Sequence, residues 1–161
     1  MASTGAIGGP AAAGQAHRAA SYRVDVIHDW SLARSGWEAA LATGTATPFQ
    51  HAAVMDAWYR AMAGRKGLTP LLVTVRDGAG THALSLALVR YREGVSRVIA
   101  FADGGLIDYN APILGPAAPE DAAGAARLWR AVRRALPSAD LLDLRKMPER
   151  IGGRPNPFYL L

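Results

Sequence analysis

The segment Leu71–Ala102, LLVTVRDGAGTHALSLALVRYREGVSRVIAFA, decides how this chain folds. Leu71 to Arg76 is an apolar and β-branched run. Asp77-Gly78-Ala79-Gly80 supplies turn residues, and Thr81 to Arg92 returns as a second strand. Glu93-Gly94 turns the chain again into Arg97 to Ala102. Three consecutive strands joined by tight turns predict an antiparallel meander.

Upstream of the meander, Tyr22 to Ile27 alternates apolar and polar residues and reads as a first strand. Asp29 is placed to cap a helix through about Ala42, with Trp30, Ala33, Trp37 and Leu41 on one face. Thr47, Pro48 and Gln50 then form a capping-box pattern with proline at the first helical position. The helix it predicts buries Val54, Ala57, Trp58, Ala61 and Met62 and ends near Gly64.

Downstream, Pro112-Ile113-Leu114 is a short strand. Pro119 opens a long helix with Glu120 and Asp121 at its positive end and Arg133 and Arg134 at its negative end. Ala125, Leu128, Trp129, Val132 and Leu136 mark its buried face, and Pro137 stops it. Leu141 to Leu144 is a last strand, and Gly152 to Pro157 reads as a loop. The apolar end Phe158-Tyr159-Leu160-Leu161 fits either a chain that continues into a further half or a docked C-terminal strand. The order β-α-α-β-β-β-(loop)-β-α-β predicts an α/β (α+β) sandwich with a mixed sheet.

Composition sets the bounds. With 161 residues, half of them hydrophobic, the chain can bury one core. Residues 1–20 are Ala/Gly-rich, lack the apolar core of a secretory signal and read as a disordered tail, leaving 21–161 as the domain. Arg and Asp interrupt every apolar stretch, so no transmembrane segment is expected. The absence of Cys excludes disulfides, thiolate metal sites and thiol nucleophiles, and is compatible with a cytoplasmic location. The net charge is +5, and only Lys66 and Lys146 among the 18 basic residues are lysine. Scattered arginines with no aromatic-interleaved stripe favour an Arg-rich codon composition over an anionic partner, and no nucleic-acid motif is present.

The chemistry concentrates in Asp103-Gly104-Gly105-Leu106-Ile107-Asp108-Tyr109-Asn110-Ala111-Pro112. Two glycines break the strand, and a carboxylate, a phenol and an amide follow side by side. Such a cluster on a loop between rigid elements is a common setting for a site. Asp108 is a candidate general base and Tyr109 a candidate proton donor or stacking surface. The competing reading makes Asp108 and Asn110 turn residues and Tyr109 a partly buried ring. The histidines at 17, 28, 51 and 82 lack metal-ligand spacing and are expected at the surface, so no metal is expected. No serine-hydrolase elbow, P-loop or dinucleotide fingerprint occurs. The four tryptophans fall on apolar helix faces and read as core.

Together with Thr47-Pro48-Phe49-Gln50, the Trp58 helix and Leu142-Asp143-Leu144-Arg145-Lys146-Met147-Pro148, the Asp108 loop resembles the CelD-like acetyltransferases of bacterial cellulose biosynthesis. These belong to the GNAT superfamily and are related to FemAB-type proteins with two tandem GNAT-like halves. The resemblance runs from about Tyr22 onward and corresponds to the first half. It implies a GNAT-like mixed sheet and N-acyl transfer from acetyl-CoA or another acyl-CoA to the amine of a small molecule, glycan or amino acid in exopolysaccharide or envelope biosynthesis. It further implies catalytic roles for Asp108 and Tyr109 and substrate binding by Asn110, Gln50 and Lys146. The chain departs from GNAT enzymes in one respect: the Arg/Gln-x-x-Gly-x-Gly/Ala loop that holds the pyrophosphate is missing. That departure leaves the cofactor residues unassigned. It admits a non-catalytic substrate- or partner-binding domain, with the cofactor bound by a second half.

Overall fold

The computed structural model describes residues 21–62 and 64–161. The expected tail at 1–20 lies outside the described residues. The rest is an α+β fold built on one six-stranded sheet with helices on both faces.

Strands β1 (Tyr22–Ile27), β2 (Thr69–Asp77), β3 (His82–Glu93) and β4 (Ser96–Phe101) pair antiparallel in sequence order along the sheet. The meander expected from Leu71–Ala102 is its centre. Asp77 makes the first turn by accepting from the Ala79 and Thr81 amides at 3.0 and 2.8 Å. A bulge between Val75 and Arg76 shifts the register, so that Val75 faces Leu84 while Arg76 faces His82. Two shorter strands complete the sheet. β5 (Ile113–Leu114) pairs with the first half of β3, through Leu84 and Ser85. β6 (Leu141–Asp143) runs parallel to β4, with Val98 opposite Leu141 and Ala100 opposite Asp143.

Helices α1 (Trp30–Thr43) and α2 (Ala52–Met62) cover one face of the sheet, and α3 (Ala122–Ala135) covers the other. Asp29 caps α1 by accepting from the Ser31 amide at 2.7 Å, and Asp121 caps α3 by accepting from the Gly124 amide at 2.6 Å. Trp30, Trp37, Met55 and Trp58 pack on Leu72, Ala87 and Val89. On the opposite face Leu128 and Val132 pack on Leu71, Val73, Leu86 and Leu88. Covered on both sides, β3 is buried continuously from His82 to Val89, which is why its sequence lacks polar alternation.

The structure corrects four expectations. The Thr47 box starts a single 3₁₀ turn, Pro48–Gln50, and α2 begins only after His51. The buried face of α2 is therefore Ala52, Met55, Trp58 and Tyr59, and Val54 is exposed. His82, expected at the surface, is buried beneath Gly115, because the bulge turns it inward toward Ser85, whose Oγ lies 2.9 Å from its Nε2. The loop expected at Gly152 is a small hairpin, β7 (Arg150–Ile151) and β8 (Arg154–Pro155), whose two glycines take positive φ. Last, the final residues form a 3₁₀ turn at Pro157–Tyr159 in place of a docked strand, with the Phe158 ring edge-on to a partly buried Trp129 at 5.4 Å.

Among the described residues, no helix is long and apolar enough to cross a membrane. Nor does any group of three or more His, Asp and Glu side chains converge to hold a metal ion.

Candidate functional site

β4 and β5 pair in turn with the same edge of β3, β4 along its second half up to Leu88 and β5 along its first at Ser85 and Leu84. The chain between them, residues 102–112, leaves that edge and returns to it as a loop. It meets the segment after β6, because β4 and β6 are parallel and end on the same side. Loops beyond the carboxyl ends of adjacent parallel strands are a favoured place for ligands.

Backbone and side-chain hydrogen bonds lock the two loops together. Asp103 Oδ1 accepts from the Gly105 amide at 2.9 Å, which fixes the tight turn that Gly104 and Gly105 make with φ of 57° and 82°. Asp103 Oδ2 accepts from Asn110 Nδ2 at 2.7 Å, and the same amide donates to the Arg145 carbonyl at 3.2 Å. The Asn110 backbone amide donates to the Lys146 carbonyl at 3.0 Å. Lys146 returns the connection, its Nζ donating to the Ile107 carbonyl at 3.0 Å and lying 3.9 Å from Asp103 Oδ2. Its backbone takes φ of 60°, the only positive value outside glycine among the described residues, and this strained turn keeps Lys146 over the loop.

Between these loops and the C-terminal end of α2 lies a cleft of about 640 Å³. This is within the range of small-molecule sites. Val89, Tyr91 and Ala100 form its floor, and Trp58 and Met62 form one wall. Five cations, Arg65, Lys66, Arg92, Arg145 and Lys146, share its lining with two carboxylates, Asp103 and Asp143. Asp143 is held by Arg145, whose Nε donates to it at 2.7 Å. That hydrogen bond, then the carboxylate's charge, raises the guanidinium pKa above its usual value. Burial, then the charges of Glu93 and Asp143, raises the Tyr91 phenol above its ordinary range, so Tyr91 is a neutral hydrogen-bonding group at neutral pH.

Of the residues the sequence singled out, Asn110 and Lys146 line the cleft. Asp108 and Tyr109 are exposed and do not line it, and the Tyr109 ring leans on Phe49 with centroids 6.2 Å apart. Gln50 is buried away from the cleft. Its Oε1 accepts from the Thr47 amide at 3.1 Å and the Thr47 hydroxyl at 2.6 Å, and its Nε2 donates to the Tyr109 carbonyl at 3.4 Å. Gln50 thus ties the capping turn to the loop. Sequence reasoning included Asp103 in the loop without giving it a role and passed over Arg65 and Lys66. The signal for the two cations was Gly64-Arg65-Lys66-Gly67, a basic pair between glycines that both take positive φ.

An acyl-CoA pyrophosphate needs free amides at a helix start. Here Asp29 and Asp121 already place carboxylates at the starts of α1 and α3, and α2 begins with His51 Nδ1 accepting from the Ala53 amide at 3.3 Å. None of these starts lines the cleft, so the described residues do not fit that group. No protein-family model, curated protein or solved structure matches this chain significantly.

Proposed function

We propose that this domain is the substrate-side part of a GNAT-like N-acyltransferase of the CelD/FemAB type. It holds an amine-bearing sugar, amino acid or envelope precursor, and the acyl donor is bound by another domain. The observation that carries this reading is the cleft where the loops after β4 and β6 meet, with the carboxylates Asp103 and Asp143 in its lining. A carboxylate fixed by neighbouring donors can accept further hydrogen bonds from an ammonium group, and its charge favours that ligand. The resemblance of the Asp103–Gly115 and Leu142–Pro148 segments supports the same assignment, since these two segments build the cleft. Asp108 and Tyr109 have no part in it. Acting on soluble precursors with an acyl-CoA donor, such a protein would work in the cytoplasm, in exopolysaccharide or envelope production.

Calorimetry on the 161-residue chain tests this, with glucosamine and acetyl-CoA as probes. Glucosamine should bind and Asp103→Asn should weaken it. Acetyl-CoA should not bind in the micromolar range typical of working enzyme sites. Micromolar acetyl-CoA affinity, or glucosamine binding indifferent to Asp103, would overturn the reading.

A further inference from the structure

Two of the cleft's cations have no carboxylate partner among the described residues. Asp143 is taken up by Arg145, and Asp103 lies nearest Lys146. Arg92 sits close enough to Asp140 to lower that carboxyl's pKa, so it too is partly offset. Among the described residues, the Arg65 side chain makes one hydrogen bond, Nη1 to Met62 Sδ at 3.7 Å, and the Lys66 side chain makes no hydrogen bond or ion pair. Residues 1–20 and Ala63, outside the described part, carry neither Asp nor Glu. The positive charge at this end of the cleft is therefore not neutralised by the chain.

A second, independent observation lies on the same wall. Trp58 is 7% exposed, lines the cleft, and its indole Nε1–H has no hydrogen-bond acceptor among the described residues. The donor sits beside Gly104, where a Cβ would come within 3.4 Å of it. The fold provides acceptors for two other tryptophans of the same core: Trp30 Nε1 donates to Asp56 at 2.9 Å, and Trp37 Nε1 donates to the Gln50 carbonyl at 2.8 Å. A buried donor left unpaired by the protein is completed by a water or by a ligand atom. Trp58, Met62 and Arg65 are spaced by four and three residues. Arg65 follows the end of α2, past Gly64 with its φ of 77°; its amide donates to the Met62 carbonyl at 3.1 Å, and all three residues line the cleft.

We propose that the ligand of this cleft carries an anionic head group, a carboxylate or a phosphate monoester, seated between Arg65, Lys66 and the Trp58 indole N–H. Its apolar body rests on Met62, Val89 and Ala100. This rests on the reading of the cleft as the ligand site but not on acyl transfer. If both hold, the acceptor is a molecule with an amine and an acid group, the amine toward Asp103 and the acid toward Arg65.

The test uses the ¹⁵N-labelled 161-residue chain and its four indole N–H resonances, with that of Trp58 assigned through Trp58→Phe. Phenyl phosphate, phenylacetate, inorganic phosphate and phenethylamine are titrated in turn. One or both organic anions should move the Trp58 indole resonance saturably, and the tighter of the two names the head group. Arg65→Ala combined with Lys66→Ala should weaken that binding roughly tenfold or more, as expected for lost charge-assisted hydrogen bonds. Both side chains are exposed, so the double variant should keep its fold, which the remaining resonances report. The proposal is overturned if neither organic anion moves the Trp58 resonance, if the double variant binds them as well as the parent, or if phenethylamine alone moves it. Anion binding without any glucosamine binding would support this proposal and count against the amine acceptor. Glucosamine binding that depends on Asp103, with no anion effect, would do the reverse.

Discussion

Asn110 and Tyr109 are adjacent in the chain and opposite in situation. Asn110 is 4% exposed and its side-chain amide joins Asp103 to the Arg145 carbonyl, whereas Tyr109 is 55% exposed. Removing the Asn110 side chain leaves a half-buried carboxylate and a carbonyl without a donor. Asn110→Ala should therefore cost about 2 kcal/mol in urea unfolding. Asp108→Ala and Tyr109→Ala should each stay within about 0.5 kcal/mol. A similar loss from all three would mean that the loop is held as a unit and not through Asn110. This contrast was not legible in the sequence. Three polar residues in a row mark a special loop, but which one turns inward depends on a carbonyl 35 residues away.

At the scale of elements, the strands and the existence of α3 were readable because their signals are local, turns and a helical period, although α3 starts at Ala122 behind its Asp121 cap and not at Pro119. The phase of α2 was not. Thr47-Pro48-x-Gln50 is a helix-start pattern, yet its hydrogen bonds close within the 3₁₀ turn and His51 restarts the helix. Moving the start displaced the buried face from Val54 and Ala57 to Met55 and Tyr59. Met55→Ala should cost about 2–5 kcal/mol, as a fully buried side chain removed from a packed face. Val54→Ala should cost less than about 1 kcal/mol, and the opposite ranking would restore the earlier phase. Asp121→Ala should cost about 1 kcal/mol through the lost cap on α3. The cleft itself was half legible: the loop after β4 carries its own punctuation. Its counterpart after β6 becomes part of a site only once β6 lies parallel to β4, a pairing that no local pattern announces.

For the whole molecule, pH should act in two windows. Burial, then the charge of Arg76, lowers the His82 pKa below its ordinary value. The folded state thus binds the His82 proton less readily than the unfolded state. Its contribution to stability is complete above the unfolded pKa of about 6.5 and is lost as pH falls through the lower folded value. Unfolding free energy should decline from pH 7 toward pH 5, and His82→Gln should flatten that slope. An unchanged slope would show that His82 charges without penalty. A second decline should follow at lower pH. Hydrogen bonds from Arg97 hold Asp140 well below the carboxylate range, those from Arg60 and Trp30 lower Asp56, and those from Ser31 lower Asp29. Their contributions persist above the unfolded pKa of about 4 and vanish as pH drops through the folded values.

The edge strand β6 is joined to the sheet by three register pairs, and its start is fastened by Asp140, which accepts from the Arg97 amide at 2.7 Å and from its guanidinium at 2.9 and 3.1 Å. Its last residue, Asp143, and the Arg145 and Lys146 that follow it form one wall of the cleft. Detaching a short edge takes far less than unfolding the domain. Opening of this edge would carry that wall with it, so amide hydrogens at Leu142 and Asp143 should exchange with deuterium sooner than those of β3. An occupant bridging α2 and the β6 wall would slow that exchange without altering any bond within the strand.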